Sequence, residues 1–203
     1  MISADEALLR LQEGNLRFRA GDSHHIEVDA LIRSQSLADQ NPFAIILGCS
    51  DSRVPAEIVF GQGVGDLFVI RVAGNVVAPS QIGSIEFAAE KFSTKLVVVL
   101  GHTMCGAVEA TLEQLKQPTE SRSPHLHAIV DRIRPAVEPL LAVGHIANSQ
   151  ALIQKAVRLN IEASVAKLVN GSEILEALIK DEKLRIVGAE YCVETGVVEF
   201  LAQ

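Results

Sequence analysis

The chain of 203 residues has no tryptophan, one tyrosine and three cysteines, and aromatic residues make up 4% of it. So few cysteines, odd in number, cannot supply a disulfide framework, so the fold must rest on a buried core, which a chain of this length can build. There is no run of Lys or Arg. A net charge of −7 also works against a polyanionic partner, which excludes nucleic acid as the expected ligand. The apolar runs Phe43–Leu47 and Leu96–Leu100 fall far short of the ~20 residues that cross a bilayer, so no membrane association is expected. Met1–Glu6 is acidic and has neither the basic nor the apolar region of a signal peptide, so the expected location is cytoplasmic, where thiols stay reduced.

What is present is ordered punctuation. Ser3 and Glu6 have the spacing of a capping box, opening an amphipathic helix through Leu8, Leu9, Leu11, Leu16 and Phe18. Loop residues follow around His24-His25, then a short helix over Asp29–Leu37, so residues 1–40 read as an N-terminal helical arm. Phe43–Gly48 and Leu67–Val72 are continuous apolar runs, the pattern of parallel strands buried on both faces. A helix capped by Ser80 runs to Phe92, and a third strand over Leu96–Gly101 ends at His102. Helical patterns cover Pro124–Ala142, Ser149–Val169 and Ser172–Lys180. Strands over Leu184–Tyr191 and Val197–Leu201 are joined by a turn at Glu194-Thr195-Gly196. This alternation predicts an α/β fold: a mainly parallel sheet with flanking helices and an antiparallel edge strand near the C-terminus, in a single domain over residues 1–203. Gly61-Gln62-Gly63-Val64-Gly65 precedes a strand instead of following one, so it reads as a turn and not as a phosphate loop.

Two short segments carry the chemistry. Cys49-Ser50-Asp51-Ser52-Arg53 follows the first strand, and His102-Thr103-Met104-Cys105 follows the third. Two thiols and one imidazole suit zinc and leave a fourth position open, the count that a catalytic zinc needs. Both segments leave the carboxyl ends of parallel strands, the edge where open α/β sheets bind ligands. Either segment alone is weak, since a lone cysteine is usually a small buried hydrophobe. Structural zinc, a redox thiol pair and no metal remain the alternatives, although a redox pair would more naturally show Cys-x-x-Cys. Cys192 reads as a buried, inert thiol, and His125 and His127 as a solvated helix start. His24-His25 reads as loop, able at most to shuttle protons.

Cys49–Arg53 and Gly101–Gly106, together with Asp66–Arg71, Ala73-Gly74-Asn75, Val187-Gly188-Ala189, Tyr191 and Thr195-Gly196, resemble the β-class carbonic anhydrases over essentially the whole chain. The resemblance implies a zinc-dependent lyase that reversibly hydrates carbon dioxide to bicarbonate and a proton through zinc-bound hydroxide. It implies Cys49, His102 and Cys105 as zinc ligands, and Asp51 and Arg53 as a catalytic pair. Arg53 would hold the carboxylate off the metal, and Asp51 would be the fourth ligand in a closed state. Substrate-binding roles are implied for Gln40 reaching a neighbouring subunit, for Phe68 and Ala73 as an apolar wall, and for the Gly106 N–H. A homodimer or homotetramer is implied as well. Phe87 stands where several relatives have tyrosine. Arg71 and Tyr191 match two of three residues that hold an inhibitory bicarbonate in some bacterial relatives, but the tryptophan position is Ile46, which argues against that site here. A carbonyl sulfide or carbon disulfide hydrolase shares these motifs and is the alternative activity. A non-catalytic zinc scaffold would be expected to lose Asp51 or Arg53, and both are present.

Overall fold

The computed structural model describes residues 1–22, 40–117, 123–142 and 149–202; the expected helix over Asp29–Leu37 and the pair His24-His25 lie outside them. Five strands form one sheet: β1 (Ala44–Gly48), β2 (Leu67–Arg71), β3 (Leu96–His102), β4 (Arg185–Tyr191) and β5 (Val198–Phe200), in the order β2-β1-β3-β4-β5. The first four are mutually parallel and β5 runs antiparallel to β4. Because β1 sits between β2 and β3, the chain crosses in opposite directions on leaving β1 and β2. That reversal creates a crevice at the carboxyl ends of β1 and β3.

Helices cover both faces. On one face lie α3 (Pro79–Phe92), α4 (Gly106–Lys116), α5 (Pro124–Ala142), α6 (Ser149–Val169) and α7 (Glu173–Lys180). They pack Ile85, Val108, Leu112, Ile133, Ile161 and Leu175 on Ile45, Leu47, Val97, Val99 and Ile186. On the other, α1 (Ala4–Arg19) and the short α2 (Ala56–Val59) pack Ala7, Leu11 and Val59 on Ala44, Ile46, Val98, Leu100 and Val187. Alternate residues of each strand therefore serve opposite cores, which is why β1 and β3 read as unbroken apolar runs. Each fully buried Leu or Ile contributes roughly 1.5–3 kcal/mol.

Several local details differ from expectation. The capping box at Ser3 and Glu6 forms, but Leu9 and Leu16 of α1 are exposed. The stripe that α1 buries is Ala7, Leu11, Gly14 and Asn15, because the sheet is met by the small side of the helix. Asn15 donates to the Val59 and Gly196 carbonyls and accepts from the Val198 N–H, tying α1 to α2 and to the β4–β5 turn. Helix α3 begins at Pro79 with Ala78 as its cap, not Ser80; proline supplies the helical φ and lacks the N–H a cap would satisfy. Strand β2 is half-buried from Leu67 to Ile70 and exposed at Arg71, since it is an edge strand rather than an interior one. Among the described residues, no helix is long and apolar enough to cross a membrane.

Gly14 marks the closest approach in this packing. A Cβ there would lie 1.8 Å from the Phe60 carbonyl oxygen. Gly14→Ala must push α1 away from the Phe60-Gly61 turn, and the expected loss is about 1–3 kcal/mol, read as a lower urea midpoint with an unchanged slope. A midpoint equal to wild type would show that α1 is not seated on this turn.

Candidate metal centre

The site is assembled from the carboxyl ends of β1 and β3. In register, Gly48 pairs with Leu100 on β3 and with Arg71 on β2, so Cys49 emerges level with the last residues of β3. His102 closes β3 and is completely buried. Thr103 and Met104 then turn the chain, with Met104 in the left-handed region at φ 59°. A non-glycine residue there is uncommon and is held by its surroundings. The turn delivers Cys105 as the residue capping α4, where the helix's first N–H groups favour a thiolate. The donor atoms of Cys49, His102 and Cys105 all lie within 4.8 Å of one another, and all three residues are buried.

These donors fit a soft divalent cation by their own chemistry. The His102 Nδ1 lies 2.9 Å from the Thr103 carbonyl oxygen, so this nitrogen carries the proton and Nε2 is left with a free lone pair. Nε2 is buried and has no hydrogen-bond partner. Burial alone would make the ring harder to protonate, but Cys49, the Thr103 carbonyl and Asp51 outweigh it and raise its proton affinity. The two sulfurs compete for charge: the Cys105 contact draws Cys49 well below the usual thiol range, while the same contact and burial push Cys105 up. A cation between them would let both be thiolates, as zinc requires.

Asp51 lies beside the donors without joining them. Its two oxygens accept from Arg53 Nε at 2.9 Å and Nη2 at 2.7 Å, and Oδ1 also accepts the Arg53 backbone N–H at 3.0 Å. This paired contact, chiefly the side-chain hydrogen bonds, holds the carboxyl far below the usual carboxylate range. Oδ2 remains 3.9 Å from His102 Nε2. Arg53 also donates to the Met104 carbonyl at 3.2 Å, so one guanidinium joins both motif loops.

Of the remaining expected residues, Ala73 and Gly106 adjoin this group, whereas Phe68 and Gln40 lie toward the amino ends of β2 and β1. Ala73 is half-buried in the 3₁₀ turn Ala73–Asn75, beside the Gly74 that contacts Cys49. Gly106 opens α4, where its N–H belongs to the set that a helix leaves without internal partners. Phe68 is half-buried on β2, its ring centroid 6.3 Å from Phe87 and 6.1 Å from Phe92. Gln40 is exposed in the coil preceding β1. Cys192 is half-buried rather than buried, because it lies past the end of β4; the Thr195 hydroxyl lowers its thiol, and it stands outside the donor group.

Three contributors were not anticipated from the sequence. Gly74 N–H donates to Cys49 Sγ at 3.3 Å. Arg71 donates to the carbonyls of Cys49 and Asp51 at 2.9 and 2.6 Å, clamping the first loop. Thr103 accepts from Val193 N–H at its hydroxyl and donates its own N–H to Tyr191, fixing the carbonyl that meets His102. The pairing of Gly48 with Arg71 would have pointed to the second of these once the register was known. Gly74 and Thr103 lie within the motifs quoted above, but nothing in those motifs assigns them these backbone contacts.

Removing a donor should remove the metal. Cys49→Ser and His102→Ala are expected to drop zinc, measured by mass spectrometry after gel filtration, from about one per chain to a small fraction of that, with Cys192→Ser unchanged. Full zinc retention in both variants would place the metal elsewhere.

Comparison with known proteins agrees with this geometry. The carbonic anhydrase family profile matches residues 44–198. Carbonic anhydrase 2 of Mycobacterium tuberculosis is 37% identical over 186 residues, covering 92% of this chain and 87% of that protein. A carbonic anhydrase of Mycolicibacterium smegmatis is also 37% identical, covering 93% and 89%. Among solved structures, a Coccomyxa β-carbonic anhydrase in complex with acetazolamide superposes with a TM-score of 0.76 at 26% identity, over 91% of this chain and 83% of that one. A tetrameric β-carbonic anhydrase from Sordaria macrospora shares the fold, with a TM-score of 0.75 at 24% identity over 91% of each chain. With its donor triangle, its paired aspartate and these relatives, the chain belongs to the carbonic anhydrase family, in its β class.

Proposed function

We propose that this protein hydrates carbon dioxide reversibly to bicarbonate and a proton, with Cys49, His102 and Cys105 holding one zinc ion and Asp51 and Arg53 serving the reaction beside it. The observation that carries this reading is the buried donor triangle with a carboxylate poised next to it and restrained by Arg53. Zinc, when bound, supplies the Lewis acidity that lowers the pKa of a water from about 15.7 to about 7.

The chain's own groups then set geometry and protonation. Asp51 is held so far below the usual carboxylate range that it stays anionic at any working pH. It therefore accepts a hydrogen bond from the attacking water or hydroxide at a carboxylate oxygen and does not take up its proton. That proton leaves to solvent or buffer. Arg53 occupies lone pairs of both Asp51 oxygens, which keeps the carboxylate from becoming a fourth ligand. Phe68 and Ala73 provide apolar surface for carbon dioxide, and the Gly106 N–H and Gln40 provide donors for bicarbonate. The 1–203 chain acts as one domain.

A second copy of the chain is the partner that suits the surface around β2. Among the described residues β2 pairs on one side only, with β1, and beside it Phe87 is 53% exposed in contact with Phe68 and Phe92. An oligomer would cover both and would bring Gln40 to a neighbouring site. Light scattering on the purified protein is expected to give at least twice the chain mass of 21.8 kDa; a monomer would remove Gln40 of a neighbour from the site. The reduced cytoplasm is the compartment that suits three free thiols, two of them ligands.

Stopped-flow hydration of carbon dioxide tests the activity: rapid turnover lost on chelation and regained with zinc. Arg53→Ala is expected to lower kcat by about 10²-fold or more while zinc content holds, since freeing the carboxylate closes the open position. The sign of the pH dependence follows from Asp51. Its folded-state pKa is depressed, so the pair persists down through the ordinary carboxylate range and is lost only in stronger acid. Activity rising between about pH 6.5 and 9 must then come from deprotonation of the water, and a flat profile there would count against this chemistry.

A further inference from the structure

The thiolate-facing N–H of Gly74 lies on a tight left-handed turn next to the first donor. Gly74 has φ 68° and ψ 20°, and Asn75 follows at φ 44°. Glycine and asparagine are the residues that enter this region most readily, so the turn can form, but its two peptide planes still need partners to hold their orientation. Asn75 does not secure the turn with its own amide, because its buried Nδ2 has no hydrogen-bond partner. The turn is also confined: a Cβ at Gly74 would lie 2.8 Å from Ile133 Cδ1 and 3.1 Å from Ala107 Cβ. Something must fix the two peptide planes so that the preceding N–H points at Cys49.

That support comes from α6. Asn160 Nδ2 donates to the Gly74 carbonyl at 2.8 Å, and Ser164 Oγ donates to the Asn75 carbonyl at 3.2 Å. The two residues are four apart, so they lie on one face of the helix, and both are buried at 2% and 6% exposure. Successive carbonyls of the turn are thus pinned to one rigid element. On the other side, Val72 N–H donates to the Gly48 carbonyl and Asn75 N–H to the Val72 carbonyl, anchoring the turn to the end of β1. Gly74 N–H is left aimed at Cys49 Sγ.

We propose that Asn160, assisted by Ser164, is a positioning residue for the metal centre: it sets the left-handed turn whose Gly74 N–H orients the Cys49 sulfur. This rests on the reading that Cys49 binds zinc. It adds that α6, which supplies no donor atom, governs how tightly the metal is held. Leucine has a branched side chain of the same reach as asparagine but no N–H to donate. Asn160→Leu is therefore the informative change: it leaves the Gly74 carbonyl buried and unpaired, and releases the turn.

The experiment is competition for zinc between a chromophoric chelator and four folded proteins: wild type, Cys49→Ser, Asn160→Leu and Leu168→Ala. Leu168 is fully buried on the same helix, two turns from Asn160, and its side chain has no polar group to offer the turn, so its variant lowers core stability and removes neither hydrogen bond of the support. Asn160→Leu is expected to bind zinc about 10–100-fold more weakly, the usual effect of losing a group that orients a ligand. Leu168→Ala should melt earlier yet keep the wild-type affinity. The cobalt-substituted proteins give a second readout that does not depend on affinity, since a reoriented Cys49 sulfur alters the thiolate-to-cobalt charge-transfer band. An Asn160→Leu protein with wild-type affinity and an unchanged cobalt spectrum overturns the proposal. So does an equal loss of affinity in Leu168→Ala, which would reduce the effect to general stability. Wild-type affinity in Cys49→Ser would instead overturn the zinc-ligand reading itself.

Discussion

The parallel pairing of β1 with β3 is the constraint on which the rest of the site depends. It sets Gly48 opposite Leu100, and thereby brings Cys49 out beside His102 and the turn to Cys105. Strand side chains alternate between faces, so a shift of one residue would exchange the buried sets of Ile45, Leu47 and Ile46 and would turn the donors apart. The two cores therefore do more than stabilise the sheet. By demanding one register, they fix the separation of three atoms at its edge.

Around those atoms, charge is arranged so that each group limits its neighbour. The two thiols cannot both be anionic without a cation, and His102 presents a buried nitrogen with no partner. Asp51 is a strong potential ligand that is restrained by Arg53, and Arg53 is anchored in turn to Met104, next to Cys105. Arg71 holds the backbone of the same loop from β2. Geometry is thus maintained from three strands, and no single loop has to be rigid by itself.

Much of this was legible in the sequence. The strands of the sheet, the long helices and the C-terminal hairpin follow from apolar runs, periodicity and turn residues. The donors were legible as a zinc set with structural zinc, a redox pair and no metal left open, and the structure brings the three side chains together. What escaped was decided by tertiary context. The half-burial of β2 reflects its place at the edge, which no local pattern encodes. Leu9 and Leu16 have the right spacing for a buried stripe, yet Gly14 and Asn15 take that role because α1 is seated on the Phe60-Gly61 turn and hydrogen-bonded to the β4–β5 turn. Gly74 and Thr103 act through backbone N–H and carbonyl groups, which every residue type offers alike, so their parts in the site depend on a turn and a strand pairing that only the folded chain reveals.

The distribution of the donors along the chain has a consequence for how the protein is made. Cys49 and Cys105 belong to elements separated by β2 and α3, and they meet only when β1 has paired with β3. In small zinc domains, neighbouring ligands capture the ion and the ion in turn organises the chain. Here His102 and Cys105 are neighbours, but Cys49 joins them only through the closure of a long loop, driven by burial of Ile46, Leu47, Val98 and Val99. A chain in which β1 and β3 fail to pair would keep at most two of the three donors together.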